Sequence, residues 1–302
     1  MQRELWANNV LTVAYVGAKG SHIFVTENIN QATPGPGAVA NRRPYTNLAD
    51  GTTVAPWGNS SYNSLQTTFE RRFSAGLSVL AAWTWSHSID DTSGTGSETI
   101  QNPFNLALNR GNSTFDLRHN VTLSWTYELP FGNGKTFFRQ ASGPLQWAAG
   151  GWQLNSIDTF QTGTPFTVTM LQNTLNVGSG VQWPNRIASG KLSNPTINLW
   201  FDPTAFTPPG AYNFGNEGRN QLYGPGTRQV DLSLFKSIAF TAERTRRLQF
   251  RAEAFNIFNT PQFNNPNAQI GFAGAGQITS AGNPPLFQRT SREIQLALKL
   301  YF

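Results

Sequence analysis

The chain contains no cysteine in 302 residues, which excludes a disulfide framework, a cysteine zinc site and thiol catalysis. It is also poor in charge. Asp, Glu, Lys and Arg make up 13%, against about 25% in an ordinary soluble domain. No run of about 18 apolar residues occurs, so no transmembrane helix is encoded. Helical spacing is scarce, because apolar residues seldom recur three and four apart. The start, MQRELWANNVLTV, has no cationic stretch leading into an apolar core and reads as lacking a signal peptide. His22, His87 and His119 are the only histidines, and none stands in a two-histidine metal spacing. What is abundant is Gly (28), Pro (18) and aromatic residues (13%). Length alone suggests one or two domains. The composition adds that the surface is not the usual charged one, or that the solvent is not entirely water.

The net charge of +6 is carried mainly by Arg. A basic chain can meet nucleic acid, anionic lipid or acidic ligands. Nucleic-acid binding needs a concentrated patch. The densest run is Glu243-Arg244-Thr245-Arg246-Arg247, with pairs at Arg42-Arg43 and Arg71-Arg72. Each is short and reads as a solvated turn or strand end, so no nucleic-acid partner is expected.

Alternation by two is the dominant signal. In the last segment Ile294, Leu296, Leu298, Leu300 and Phe302 fall on one side, against Glu293, Gln295, Ala297, Lys299 and Tyr301. Leu248, Phe250, Ala252 and Ala254 oppose Gln249, Arg251 and Glu253. Val121, Leu123, Trp125 and Tyr127 oppose Asn120, Thr122, Ser124 and Thr126. The same rule predicts strands at about 10–27, 62–73, 77–88, 117–129, 150–162, 228–240, 246–258 and 290–302, with Gln2 to Trp6 as the tail of one more. The connections alternate in length. Ser74-Ala75-Gly76 and Phe240 to Thr245 are short, and Pro130 opens a longer turn of the same class. Long polar stretches stand at about 28–61, 89–115, 163–227 and 259–289. Loops beyond about 12–15 residues are uncommon in compact domains. Their regular interleaving places all long loops at one end of the strands.

Two architectures fit alternating strands, a soluble β-sandwich and an outer-membrane barrel. Periodicity alone leaves both open. Three features favour the barrel. Several strands run about eleven residues, enough to cross a tilted bilayer, where globular strands have about five or six. Trp83, Trp85, Trp125 and Tyr127 lie toward strand ends, as in interfacial aromatic girdles. Short turns on one side and long loops on the other match the periplasmic and extracellular pattern. The lumen-facing candidates are then Glu70, Arg72, Arg118, Glu128, Asp231, Arg251, Glu253, Glu293 and Lys299. Arg71 falls on the lipid face, near a turn where charge costs little.

These stretches carry a resemblance. VLTVAYVGAKGSH (Val10 to His22), NSLQTTFERRFSAGLSVLAAWTWSHSID (Asn63 to Asp90), FDLRHNVTLSWTYELPFG (Phe115 to Gly132) and GGWQLNSIDTFQTGTPFTVT (Gly150 to Thr169) are the first four. RQVDLSLFKSIAF, RLQFRAEAFNIFNTPQF and the ending REIQLALKLYF follow. In that order they resemble the C-terminal barrel segment of TonB-dependent outer-membrane receptors of the Oar-like, acidobacterial type, over almost the whole chain. The resemblance implies an all-β fold, residues 1–302 forming the C-terminal part of a larger antiparallel barrel of about 22 strands. It implies location in the outer membrane and ligand uptake through loop recognition and a polar lumen, the ligand being an oligosaccharide or a peptide. It also implies a plug, with TonB reached only through N-terminal parts that are not in this chain. Leu298, Leu300 and Phe302 are similar to the C-terminal signal read by the barrel-assembly machinery. Lipid and lipopolysaccharide are the other expected partners, and no cofactor is expected.

Other chemistry is thin. Ser86 and His87 are adjacent on a strand and point to opposite faces, so they cannot form a catalytic pair there, and the chain is expected not to be an enzyme. Asp90-Asp91-Thr92-Ser93 lacks the ordered ligand spacing of a calcium loop. Asp116 and Arg118 are expected to make a structural contact. Trp57, Trp183, Trp200 and Tyr212 in the long stretches are candidates to stack on a ligand, against the alternative that they pack the loops together. A soluble sandwich module and a non-functional receptor fragment stay as alternatives to the transporter.

Overall fold

The computed structural model describes residues 1–94, 100–240, 246–282 and 290–302. Its main element is a ten-stranded antiparallel sheet. Nine strands form the wall in chain order: β1 (Gln2–Trp6), β2 (Asn9–Asn28), β3 (Thr52–Ser74), β4 (Leu77–Asp90), β5 (His119–Glu128), β6 (Trp152–Gln161), β7 (Thr227–Ala239), β8 (Arg247–Phe255) and β9 (Glu293–Tyr301). The two-residue strand Gly111–Asn112 adds a short pair at the top of β4. Each wall strand pairs only with its sequence neighbours, and the sheet ends at β1 on one side and β9 on the other without closing.

The expected strands are all present. The largest shift is in β3, which begins at Thr52 and not near Tyr62. Residues expected in a loop therefore pair with the upper part of β2, from Val25 to Asn28. Pro56 and Gly58 hide this from an alternation pattern. They sit where the register slips, opposite a left-handed His22 (φ 57°). At about 3.3 Å per residue, 20 residues in β2 reach well past a hydrocarbon layer of about 30 Å, so this hairpin projects beyond the membrane. The tight Ala75-Gly76 turn uses two positive φ values, 53° and 84°, which suit the twist of a hairpin.

One element contradicts the reading that helix is absent. Gly143–Ala149 forms a helix, α1, in the β5–β6 connection. Seven residues are too few to show a helical period, and Pro144 near its start pre-sets the first turn. Of the basic run 243–247, residues 243–245 lie outside the described residues. Arg247 opens β8.

No second sheet packs on the wall among the described residues; the other sheets are two-stranded pairs in the loops. Apart from Val25 near the top of β2, the fully buried apolar residues therefore lie elsewhere. Phe166, Val168, Phe201, Ala205, Phe206, Leu222 and Ile270 form one core, drawn from the connections β6–β7 and β8–β9. Phe201 packs on Phe166 and Phe206 with ring centroids 5.7 and 5.8 Å apart. Short pairs hold the layer: Pro165–Phe166 with Leu222–Tyr223, Asn185–Arg186 with Phe206–Thr207, and Thr169–Met170 with Gln269–Ile270. The long loops thus fold into a cap with its own core, on the end of the wall opposite the tight turns.

Candidate functional site

The register separates the two faces of the wall. Following the pairs outward from β9, Leu296, Ala252 and Leu234 share a face, as do Leu298 and Phe250. Across β6 to β3 the same face carries Leu154, Tyr127 and Leu77, then Trp125 and Val79, then Leu123, Ala81 and Phe69. Apart from Ser156 and Asp158 on β6, where the serine donates to the carboxylate, it is mainly apolar, and it is uncovered: Leu296 and Leu298 are each 66% exposed. In water such a surface would cost about 1.5–3 kcal/mol per large side chain relative to burial. A hydrocarbon surrounding removes that cost.

The opposite face is polar. It carries Gln66, Thr84 and Asn120 in one row and Thr68, Ala82, Thr122 and Thr159 in the next. Eight of the nine charged candidates fall here. Glu70 lies 3.8 Å from Arg72. Glu128 accepts from Lys135 at 2.6 Å, near the tight-turn rim. Asp231 accepts from Gln229 at 3.0 Å and from the Asn256 backbone at 2.8 Å. Arg251 donates to Gln249 at 2.7 Å and to the Tyr301 hydroxyl at 3.2 Å, and lies 4.5 Å over the Phe235 ring. Glu253 pairs across with Ser233 and Gln295, Lys299 with Gln249, and Glu293 with Phe255. Arg118 precedes β5 and turns to the cap. The face is not purely polar, since Leu80, Ile157 and Phe235 also stand on it.

Two buried groups tie the top of the wall to the cap, and a third lies within the cap. Asp116 is the first. Its carboxylate accepts from the Ser88 backbone at 2.6 Å and the Tyr223 hydroxyl at 2.8 Å, and pairs with Arg118 at 3.1 Å. Burial first, and then the Asp116 charge it faces, raise the Tyr223 phenol above its ordinary value, with Arg118 opposing. Second, Asp90 pairs with Arg219, whose guanidinium also donates to the Asn109 carbonyl at 2.7 Å. Both side chains are sealed from solvent. Third, Glu217 lies inside the cap with Arg186 3.7 Å away, and no hydrogen bond of good geometry reaches its carboxylate oxygens. Burial pushes its carboxyl up to about 7, with Arg186 and the Gly218 backbone pulling back only in part.

The loop aromatics differ in what they offer. Trp183 is 2% exposed and keeps no face for a ligand; its place in the chain gives no sign of this. Gln101, itself buried, accepts from its backbone at 2.6 Å. Trp200 packs against the cap core and donates to the Tyr223 carbonyl at 2.8 Å. Tyr212 stays 40% exposed on a left-handed residue (φ 64°). Trp57 lines an open cleft at the upper end of β3. The Asp90-Asp91 carboxylates are taken by Arg219 and by Arg110, the latter at 3.2 Å, which leaves no charge for a cation. Ser86 donates to the Leu117 carbonyl at 2.7 Å, away from His87.

Sequence reading missed Lys236. It stands on the apolar face, paired with Trp152 and Phe250, yet it is buried. Its ammonium donates to the Gly150 carbonyl and to the Ala148 carbonyl at 3.1 Å, and lies 4.8 Å over the Trp152 ring. These are carbonyls of the α1 C-terminal end, which has no further helical turn to satisfy them. The signal was present in Leu234-Phe235-Lys236-Ser237-Ile238, where a lysine falls in phase with two aliphatic residues. At the same end of the wall, Leu300 and Phe302 are exposed, Phe302 by 95%, and among the described residues β9 has a partner only in β8.

A wall with one uncovered apolar face, one polar face, tight turns below and a folded cap above is that of an outer-membrane β-barrel protein. A family model described as outer membrane beta-barrel domain matches residues 1–295, and the chain belongs to that family. It resides in the outer membrane. No curated protein matches it. Among solved structures it is similar to the outer membrane transporter YddB from Escherichia coli, at 10% identity and a TM-score of 0.49. That match covers 100% of this chain and 31% of the transporter, so the chain spans about a third of that protein's length.

Proposed function

We propose that the chain is the C-terminal part of the wall of a TonB-dependent receptor of the Oar-like type, within a barrel of about 22 strands. In this reading the cap selects a ligand, an oligosaccharide or a peptide, which then passes along the polar face, with energy from TonB through other parts of the receptor. The chain performs no catalysis. It meets lipid and lipopolysaccharide on its apolar face, and the barrel-assembly machinery through Leu298, Leu300 and Phe302. The observation that carries the reading is the largely polar face from β3 to β9, opposite a mainly apolar one that is interrupted at Ser156, Asp158 and Lys236. A water-filled interior is what such a face fits. The free edges of β1 and β9 leave room for further strands.

The test uses cells expressing the whole receptor and a panel of fluorescent oligosaccharides and peptides. Accumulation of at least one probe should collapse when TonB is depleted, while surface binding of that probe persists. Equal accumulation with and without TonB would sink the reading.

A further inference from the structure

On the apolar face, Tyr15, Leu65, Trp85 and His119 form one cross-strand row. Above it the face changes character. The next row is Gly17, Asn63 and His87, and the one after is Lys19, Ser61 and Ile89. Four residues along a strand raise Lys19 about 13 Å above Tyr15, or about 10 Å in height at a tilt near 40°. The hydrocarbon core ends near an aromatic girdle, and the headgroup layer beyond it is about 5–8 Å deep before any sugars. Lys19 therefore stands at the level of outer-leaflet phosphates and sugars.

An open cleft of about 480 Å³ lies at this level, lined by Lys19, Trp57, Ser61, Asp91 and Arg110 among others. Arg110 reaches Asp91 at 3.2 Å and the Ser61 hydroxyl at 3.4 Å. Asp91 also accepts from the Asn59 backbone at 2.8 Å, so its charge is answered within the cleft. Lys19 is exposed and has no hydrogen-bond or ion-pair partner among the described residues. The Trp57 indole N–H is shielded from solvent and has no acceptor among the described residues. A lone cation, a half-used guanidinium, a hydroxyl and an indole are what a phosphorylated sugar requires. Directly below, Tyr15 is 71% exposed and continues into Val13 and Leu11, an apolar strip of about 13 Å along the strand.

We propose that this cleft is a binding site for the phosphorylated sugar headgroup of an outer-leaflet glycolipid, whose acyl chains lie down the strip below it. The site rests on the reading that the apolar face meets lipid and that the long loops lie outside. It is distinct from the cap core and from the polar face, and it would hold a structural lipid at the β2–β3–β4 hairpin.

The experiment uses the full chain, extracted folded from outer membranes. The probes are bisphosphorylated lipid A, its dephosphorylated form and inorganic phosphate, with retention read by native mass spectrometry. Bisphosphorylated lipid A should be retained, and Lys19→Ala should weaken it about tenfold, the size of one charge-assisted hydrogen bond. Lys19→Arg should restore most of the affinity. Because Lys19 has no partner, unchanged heat-modifiable mobility of Lys19→Ala checks folding. Equal retention of the two lipids, an unaffected Lys19→Ala, or full competition by inorganic phosphate overturns the site. A spin label at Leu123→Cys, clean in a chain without cysteine, reports the orientation separately. If it senses lipid while headgroup selectivity is missing, the site alone falls. If it senses water, the orientation falls with it.

Discussion

In the wall, Leu296 and Leu298 keep two-thirds of their surface exposed. In the cap, Phe201 and Val168 have almost none. Both regions are built from strands and carry similar apolar residues, yet only the cap buries them against protein. The wall leaves that task to the surrounding lipid. The polar groups reverse the contrast. Those of the wall stand in open rows and bond mostly to near neighbours, as Gln153 does to Asn155 and Gln229 to Asp231. Those of the cap are sealed and reach far along the chain, as Arg219 reaches Asp90. The lesson is that the wall is specified by phase and the cap by particular contacts. Substitutions should therefore act differently in the two.

The largest effect is expected in the cap. Arg219→Ala leaves Asp90 buried without its partner and should cost about 3–5 kcal/mol of cap stability. Protease cutting within residues 162–226 should rise steeply, while the heat-modifiable mobility of the wall is kept. Loss of both together would show that cap and wall are one cooperative unit. The next effect is expected in the wall and depends only on phase. Phe69→Arg, near mid-wall on the apolar face between Leu11 and Ala81, should cost about 2–4 kcal/mol in urea titrations of vesicle-inserted protein. Thr68→Arg, one residue away on the polar face, should change little. Equal costs would remove the distinction between faces.

The smallest effect is a pH dependence confined to the cap. Glu217 holds its proton up to about 7 when folded, against an ordinary value of 4.5. Between these values the folded cap binds more protons than the unfolded one, so its stability falls as pH rises. The fall should be on the order of 2 kcal/mol, complete near pH 7, and absent in Glu217→Gln. Protease susceptibility of residues 162–226 across this window checks it. A wild-type profile as flat as that of the variant would show that the carboxyl is charged throughout.

The same division explains what could be read from residues alone. The wall strands were legible because period two needs only local sequence, and lipid on one side enforces it along most of each strand. Legibility failed where local pattern is broken or too short. Pro56 and Gly58 concealed ten residues of β3, and seven residues of α1 gave no period. The cap was illegible for a different reason. Asp90 and Arg219 stand 129 residues apart, and no spacing rule links them. Nor does the sequence around Trp183 distinguish a core side chain from a ligand platform. The charged row could be assigned to one face by parity, but the hydrogen bonds of Asp231 and Arg251 could not.

Lys236 has a consequence for how the wall sits in its bilayer. An ammonium three residues from the end of β7 is bound to carbonyls that belong to α1, outside the sheet. Sliding the wall toward the outer leaflet would carry that charge, and the helix end bound to it, into hydrocarbon. Sliding it the other way would wet the aliphatic rows above. Helix and lysine together act as a detent, fixing the depth of the protein against a membrane that is otherwise fluid.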